Sequence, residues 1–288
     1  MRKKSIGFID YFIDEWHANH FPQCIAASAL SDQFELTRAY AMIDPPDKKS
    51  LATWCQEQGV AQASSIESLV DACDCIFVLS PDNPEHHDAL SNHALHSGKP
   101  VFIDKPLAPS LQAAKAMFDL AAQHGTPLFS SSGLRFTSAL QSLHKQQLAE
   151  QPATLIATTG GGSSFSLYLI HQIEMIVALM GTGITRVMYL GTKNVHCLNI
   201  IFNDQRRATV RLSPSLGFTA SVHCDDGTCH ELDAFDDFAQ GLMDAVLGFY
   251  RDGQSPVPTE QTLQIMAVCE TALMAAKIPE VWCDVPSV

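Results

Sequence analysis

With 288 residues, 46% hydrophobic and 17% charged, the chain is long enough for two packed domains. A formal net charge of −13 argues strongly against nucleic acid and anionic membrane as partners, and polar residues interrupt every apolar stretch before it could span a bilayer. Met1-Arg2-Lys3-Lys4 begins like a signal peptide, but only Ile6 to Ile9 follow before Asp10, which reads as a strand; nine dispersed cysteines without a C-x-x-C read as reduced thiols in a cytoplasmic protein.

In chain order, strands are expected at residues 5–9, 36–43, 75–79, 101–103 and 127–130, with helices between them. Asn83-Pro84 opens one helix and Gly98 follows its end. Another carries Leu107, Leu111, Ala114, Phe118 and Ala121 at helical spacing and stops at Gly125. This alternation predicts a Rossmann-type, doubly wound parallel sheet over residues 1–130. From about Ser132 the pattern changes. Strands are expected at 153–159, 184–191, 195–203, 206–213, 218–224 and 228–232, with Asn203-Asp204 and Asp225-Asp226-Gly227 as hairpin turns. Residues 131–288 therefore read as an α+β domain. Its large, mostly antiparallel open sheet would be covered on one face by helices at 166–180, 235–251 and 259–276.

The chemistry concentrates at Asp104-Lys105-Pro106, after the apolar run Val101-Phe102-Ile103. It sets a lysine at the carboxyl end of a parallel strand, where open α/β sheets bind ligands. The proline biases the lysine backbone toward an extended conformation. An ammonium beside a carboxylate in a cleft can polarise or protonate a substrate oxygen.

Ser80-Pro81 after a strand, a histidine-bearing helix, Gly98-Lys99-Pro100-Val101 and then Asp104-Lys105-Pro106-Leu107 form an ordered series. It resembles the glucose–fructose oxidoreductase/inositol dehydrogenase/MocA family. The resemblance continues through Arg135-Phe136, Gly160-Gly161-Gly162 and the stretch Leu169 to Glu174 that contains His171. It implies hydride exchange between NAD or NADP and a sugar-like or polyol secondary alcohol, and a homo-oligomer formed through the C-terminal sheet. It assigns Lys105 and His171 as catalytic residues and sets Arg135 on the substrate side; Glu174 reads either as a substrate contact or as salt-bridge scaffolding, and Trp16 and His17 are substrate candidates by the chemistry of their own side chains. Asp10, Asp44, Ser80, Pro81, His87 and Asp104 fall on the cofactor side. A histidine titrating near neutrality suits the hydroxyl proton, and a lysine on the same oxygen stabilises its developing charge.

Two positions depart from the family pattern. The first strand should turn into G-x-G-x-x-G, but Gly7 is followed by Phe8 to His17 with no further glycine, and Asp10, Asp14 and Glu15 stand where a diphosphate would rest. Such like-charge contacts cost on the order of a few kcal/mol. The aspartate expected four residues before the histidine is Leu167. Three alternatives follow: a remodelled turn that binds the cofactor through Ser80, Pro81 and nearby backbone; an altered pocket with a different or no dinucleotide; or a non-catalytic ligand-binding or interaction protein on the same scaffold. Asp14 to His20 gather two carboxylates, two imidazoles and an indole at the cleft mouth, which suits a sugar or polyol and equally suits a plain helix start. Asp44, ahead of Pro45-Pro46, reads either as a ribose ligand or as a turn former. His86, His87, His93 and His96 lack metal-ligand spacing, so no metal is assigned. Gly160 to Ser164 lacks G-K-[ST], and Ser130 to Ser132 lack G-x-S-x-G.

Overall fold

The computed structural model describes residues 2–146, 148, 151–162 and 164–288. Ser163, in the glycine-rich stretch considered above, lies outside them. The chain divides into two compact units, Met1–Ser131 together with Leu242–Val257, and Ser132–Gly241 together with Pro258–Val288.

The first unit holds β1 (Lys4–Asp10), α1 (Trp16–Ala27), β2 (Phe34–Ala41), α2 (Leu51–Gln58), β3 (Ala61–Gln62), α3 (Ile66–Ala72), β4 (Cys75–Val78), α4 (His87–Leu95), β5 (Val101–Ile103), α5 (Leu111–Gln123) and β6 (Leu128–Phe129). The six strands form one parallel sheet in the order β3-β2-β1-β4-β5-β6. The strand order reverses between β1 and β4, which is where doubly wound sheets open a ligand crevice. β4 and β5 are short, wholly buried apolar runs, as a sheet covered on both faces requires. Gly7 is demanded by packing rather than by a turn, because a Cβ there would overlap Leu69 of α3. Ser50, Ser65 and Ser110 cap α2, α3 and α5 through the amides of Thr53, Ser68 and Ala113, each worth about 1 kcal/mol.

A ladder of directly opposed phenylalanines crosses this sheet. Phe8, Phe77, Phe102 and Phe129 are register partners on β1, β4, β5 and β6, and all are fully buried. Successive ring centroids lie 5.2, 5.1 and 5.2 Å apart, edge to face. Each such pair contributes about 0.5–1.5 kcal/mol beyond its buried area.

The second unit begins with α6 (Ser138–Gln146) and β7 (Ala153–Gly160) and continues through α7 (Phe165–Met180), β8 (Ile184–Tyr189), β9 (His196–Phe202), β10 (Arg207–Leu212), β11 (Thr219–Cys224) and β12 (Cys229–Leu232). After α8 (Phe238–Asp252) come α9 (Thr259–Ala275) and β13 (Trp282–Asp284). Its seven strands run β12-β11-β7-β10-β9-β8-β13, with β7 and β10 the parallel pair and the other pairings antiparallel. Burial alternates strictly along β10 and β11, so one face meets helix and the other stays open. α7 is buried nearly all round from Leu169 to Met180. This is the expected α/β architecture with a mostly antiparallel second sheet. Among the described residues no helix is long and apolar enough to cross a membrane.

One expectation needs correcting. The helix anticipated at 235–251 as a cover for the second sheet is α8, and from Leu242 onward it belongs to the first unit. Tyr250 packs on Phe77 at 5.5 Å and Phe249 on Phe129 at 5.6 Å. The Tyr250 hydroxyl donates to the Ile76 carbonyl at 2.6 Å, and Lys4 Nζ donates to the Tyr250 carbonyl at 2.9 Å. The amphipathic pattern announced a buried face without stating which sheet would bury it.

Candidate functional site

Each unit carries one cluster of polar side chains at buried positions. In the first, β1, β4 and β5 deliver Asp10, Ser80 and Asp104 to the carboxyl edge of the sheet. Asp10 is 1% exposed; its Oδ1 accepts from the Tyr11 amide at 2.7 Å, while Oδ2 is buried with no hydrogen-bond partner among the described residues. Glu15 is the N-cap of α1, its carboxylate accepting from the amides of His17 (2.7 Å) and Ala18. His17 stacks on Phe21 and bonds through Nδ1 to Asp104 Oδ2. Asp104 Oδ1 accepts from the Lys105 amide at 2.7 Å, and the peptide from Lys105 to Pro106 is cis. Lys105 is buried.

Burial raises the carboxyl pKa at both strand ends, but the neighbours send them opposite ways. Asp104 faces the His17 imidazole and the Lys105 ammonium and ends below its ordinary value. Asp10, desolvated and facing the Glu15 and Asp104 carboxylates, is pushed well above it; burial likewise raises Glu15.

The Asp10 shift also makes a stability prediction. A carboxyl whose folded pKa is raised retains its proton in the fold, so its favourable contribution is complete below the ordinary value of 3.8 and is lost as pH climbs through the folded value. Asp10→Asn, which cannot ionise, should therefore match the wild type in melting temperature below about pH 4 and exceed it increasingly as pH rises above that. The gain should be about 1.4 kcal/mol for each unit by which the folded pKa exceeds 3.8. Parallel melting curves for the two proteins would refute the buried acid.

The other first-unit candidates are separate. Ser80 holds a left-handed backbone (φ 73°) and its carbonyl meets His87 Nε2 at 3.1 Å, while His87 Nδ1 lies 3.1 Å from the Leu107 carbonyl. His87 is fully buried, and its burial lowers the imidazole pKa, so it serves as a strut between the turn at Ser80 and Pro81 and the segment after Lys105. Asp44 Oδ1 accepts from the Leu51 amide at 2.8 Å at the start of α2, apart from the strand-end cluster. Trp16 is 44% exposed and stacks on His20 with centroids 4.1 Å apart. Lys99, of the Gly98-Lys99 pair, donates to the Val70 and Asp71 carbonyls at the end of α3, a structural use of that motif.

In the second unit, α7 carries His171 and Glu174 one turn apart. Glu174 Oε1 pairs with Arg135 Nε, and Oε2 lies 3.4 Å from the Ser132 amide. Arg135 Nη1 donates to Gln261 Oε1 at 2.8 Å, while Nη2 is buried with no hydrogen-bond partner among the described residues. Arg135 and Glu174 are therefore engaged with each other and buried. His171 Nδ1 lies 2.7 Å from Ser132 Oγ, which also accepts from the Leu134 amide at 3.3 Å. The hydroxyl has a second lone pair that can accept from Nδ1–H, and in that tautomer Nε2 is the nitrogen able to accept a proton. The Tyr168 and Phe218 rings flank the imidazole at 5.7 and 5.8 Å. Beside it, Gln172 is fully buried against Gly160, with no hydrogen-bond partner for its amide among the described residues. Sequence reasoning set Ser132 aside for want of a nucleophile motif; a contact across 39 residues leaves no local trace.

Residues 22–132 match the model of an oxidoreductase family with an NAD-binding Rossmann fold, GFO_IDH_MocA. That segment, about two fifths of the chain, is similar to the glucose–fructose oxidoreductase/inositol dehydrogenase/MocA family. Within the curated relatives the chain is 31% identical over 123 residues to an uncharacterized oxidoreductase of Streptococcus pneumoniae serotype 4, covering 42% of this chain and 31% of that one. It is 24% identical over 174 residues to 1,5-anhydro-D-fructose reductase of Ensifer adhaerens, covering 58% and 50%. The aligned stretches thus span half or less of these relatives' length. Among solved structures, scyllo-inositol dehydrogenase from Lactobacillus casei with bound NAD(H) and scyllo-inositol superposes with a TM-score of 0.83 at 16% identity, covering 98% of this chain and 99% of the other. Myo-inositol dehydrogenase from the same organism, in complex with NAD(H) and myo-inositol, gives 0.83 at 13% identity over 100% and 98%. At these identities the likeness establishes the shared fold.

The family fold implies a nicotinamide dinucleotide, whose diphosphate ordinarily rests on the first helix amides. Here the carboxylate of Glu15 takes those of His17 and Ala18, and the buried Asp10 carboxyl stands at the adjoining strand end. The residues at this seat do not fit a diphosphate.

Proposed function

We propose that the chain is an oxidoreductase of the polyol and sugar dehydrogenase type, exchanging hydride between NAD(P) and a secondary alcohol of a ring-shaped polyhydroxy substrate. The observation that carries this reading is a buried lysine after β5, beside Asp104, in a segment that matches the oxidoreductase family. Relatives named for inositol and anhydrofructose support the substrate class. Lys105 donates a hydrogen bond to the substrate oxygen and steadies its negative charge. His171 takes up or returns the hydroxyl proton through Nε2. Trp16 is kept for the substrate and Ser80 with Pro81 for the cofactor, while Arg135, Glu174, His17, Asp44 and His87 are engaged in contacts of the fold. The half-exposed open face of the second sheet, including Leu155, Ala157 and Ile201, supports a homo-oligomer, and the free cysteines support a reducing, cytoplasmic location.

A second reading, a non-catalytic ligand-binding protein on this scaffold, is favoured by the Glu15 carboxylate on α1 and by Leu167. Titration with NADH and NADPH, following quenching of protein fluorescence including that of Trp16, separates the two. Saturable micromolar binding supports the enzyme, and no heat of binding for either cofactor in calorimetry leaves the rival standing.

Ser132 acts through His171 as a positioning residue in place of the missing aspartate. Ser132→Ala is expected to lower kcat about 10- to 100-fold with little change in KM, to displace the pH–rate profile, and to regain activity as Ser132→Thr. A drop in melting temperature with an unmoved pH profile would reduce Ser132 to a cap on the turn that follows it.

A further inference from the structure

We infer that the N-terminus of α1 is closed to the diphosphate of any dinucleotide, because the protein's own Glu15 carboxylate occupies the anion position. Any nicotinamide cofactor that this chain uses has its diphosphate held elsewhere.

Three observations inside the first unit agree. First, the helix amides that would bind phosphate oxygens are already bonded, that of His17 at 2.7 Å and that of Ala18 at closer range, both to Glu15. A side-chain oxygen at an N-cap satisfies the same orphan donors that make a helix start attractive to an anion. Second, the strand that leads into this turn ends in Asp10, whose buried Oδ2 has no hydrogen-bond partner among the described residues. An incoming diphosphate would meet that carboxyl, Glu15 and Asp104 together. Third, the crevice flank carries side chains where the family motif has glycine. Tyr11, after β1, stacks on His86, after β4, with centroids 4.0 Å apart and planes at 10°. The two loops that border the topological switch point are joined by that stack.

The cations near this turn do not offset the acid. Lys48 Nζ sits 4.6 Å over the Phe12 ring and donates to the Asp14 carbonyl at 3.0 Å. Lys49 pairs with Glu57 through its ammonium, and its amide donates to Asp14 Oδ2 at 2.9 Å. Asp14 also receives Asn19 Nδ2 at 3.0 Å. His17 is committed to Asp104. The turn is thus a closed hydrogen-bonded unit that supplies its own counter-ion to the helix.

The test uses the full chain labelled with nitrogen-15, titrated separately with ADP-ribose and NADH to millimolar concentration, reading the His17 and Ala18 backbone amides. In the wild type both resonances should stay in place with either ligand. In Asp10→Asn combined with Glu15→Gly, which removes the plug and the adjoining buried acid, ADP-ribose should move both. Saturable movement in the wild type overturns the inference, and movement in neither protein takes Glu15 out of the role. The dehydrogenase reading fails separately: if calorimetry detects NADH or NADPH binding while the two amides stay still, both proposals stand, whereas no binding of either cofactor leaves the closed turn intact and removes the enzyme.

Discussion

Lys105→Ala should lower turnover of a polyol substrate by about 10²- to 10⁴-fold while shifting the melting temperature little. The two effects separate because of what the side chain does locally. Its backbone amide, not its ammonium, makes the hydrogen bond to Asp104 Oδ1, and alanine keeps that bond. Asp104 loses one positive neighbour and retains His17. The loss to folding is therefore about 1 kcal/mol, against several kcal/mol in the barrier. Initial rates and thermal melts on the same preparations decide it. Unchanged activity would remove Lys105 from the mechanism, and a collapse of melting temperature matching the loss of rate would make the lysine a structural group.

The largest effect on stability is expected at Arg135 and Glu174. Taking one partner from a buried ion pair leaves an uncompensated charge, so Glu174→Ala should lose about 3–5 kcal/mol. In a protein of this size that is a fall in melting temperature on the order of 10 °C. The loss falls on a guanidinium that already has one unbonded nitrogen, Nη2. Arg135→Met with Glu174→Leu removes both charges together and should recover most of the stability. Denaturant melts of the single and double variants test this directly. If Glu174→Ala melts within a degree or two of the wild type, the pair holds nothing together and both residues are better explained as contacts to substrate.

Much of the architecture was legible because it depends on local pattern. Cys75 to Val78 and Val101 to Ile103 announce buried parallel strands by being short and uninterrupted, and Asp225-Asp226-Gly227 marks the turn between β11 and β12. The strands β3 and β13, of two and three residues, are too brief to leave a period and were missed. The destination of α8 was also hidden, since Leu242, Val246 and Phe249 predict a buried face whichever sheet receives it. Within the candidate site, the acidic turn after β1 was visible as a charge conflict with a diphosphate. That Glu15 turns its carboxylate back onto its own helix, and that Tyr11 reaches His86, are questions of rotamer and approach that residue order does not encode. Ser132 went unrecognised for the same reason, since its partner is brought to it by α7 packing on the sheet.

The phenylalanine ladder sets a limit on how this protein can be dissected. Tyr250 and Phe249 lie on Phe77 and Phe129, yet arrive more than a hundred residues later in the chain. A fragment ending at 131 would hold every strand of the parallel sheet and still present bare aromatic rings to water, an invitation to aggregate. During synthesis the same rings must wait for the final third of the polypeptide before they are sheltered. The N-terminal half therefore has all its strand pairing long before it is complete in burial.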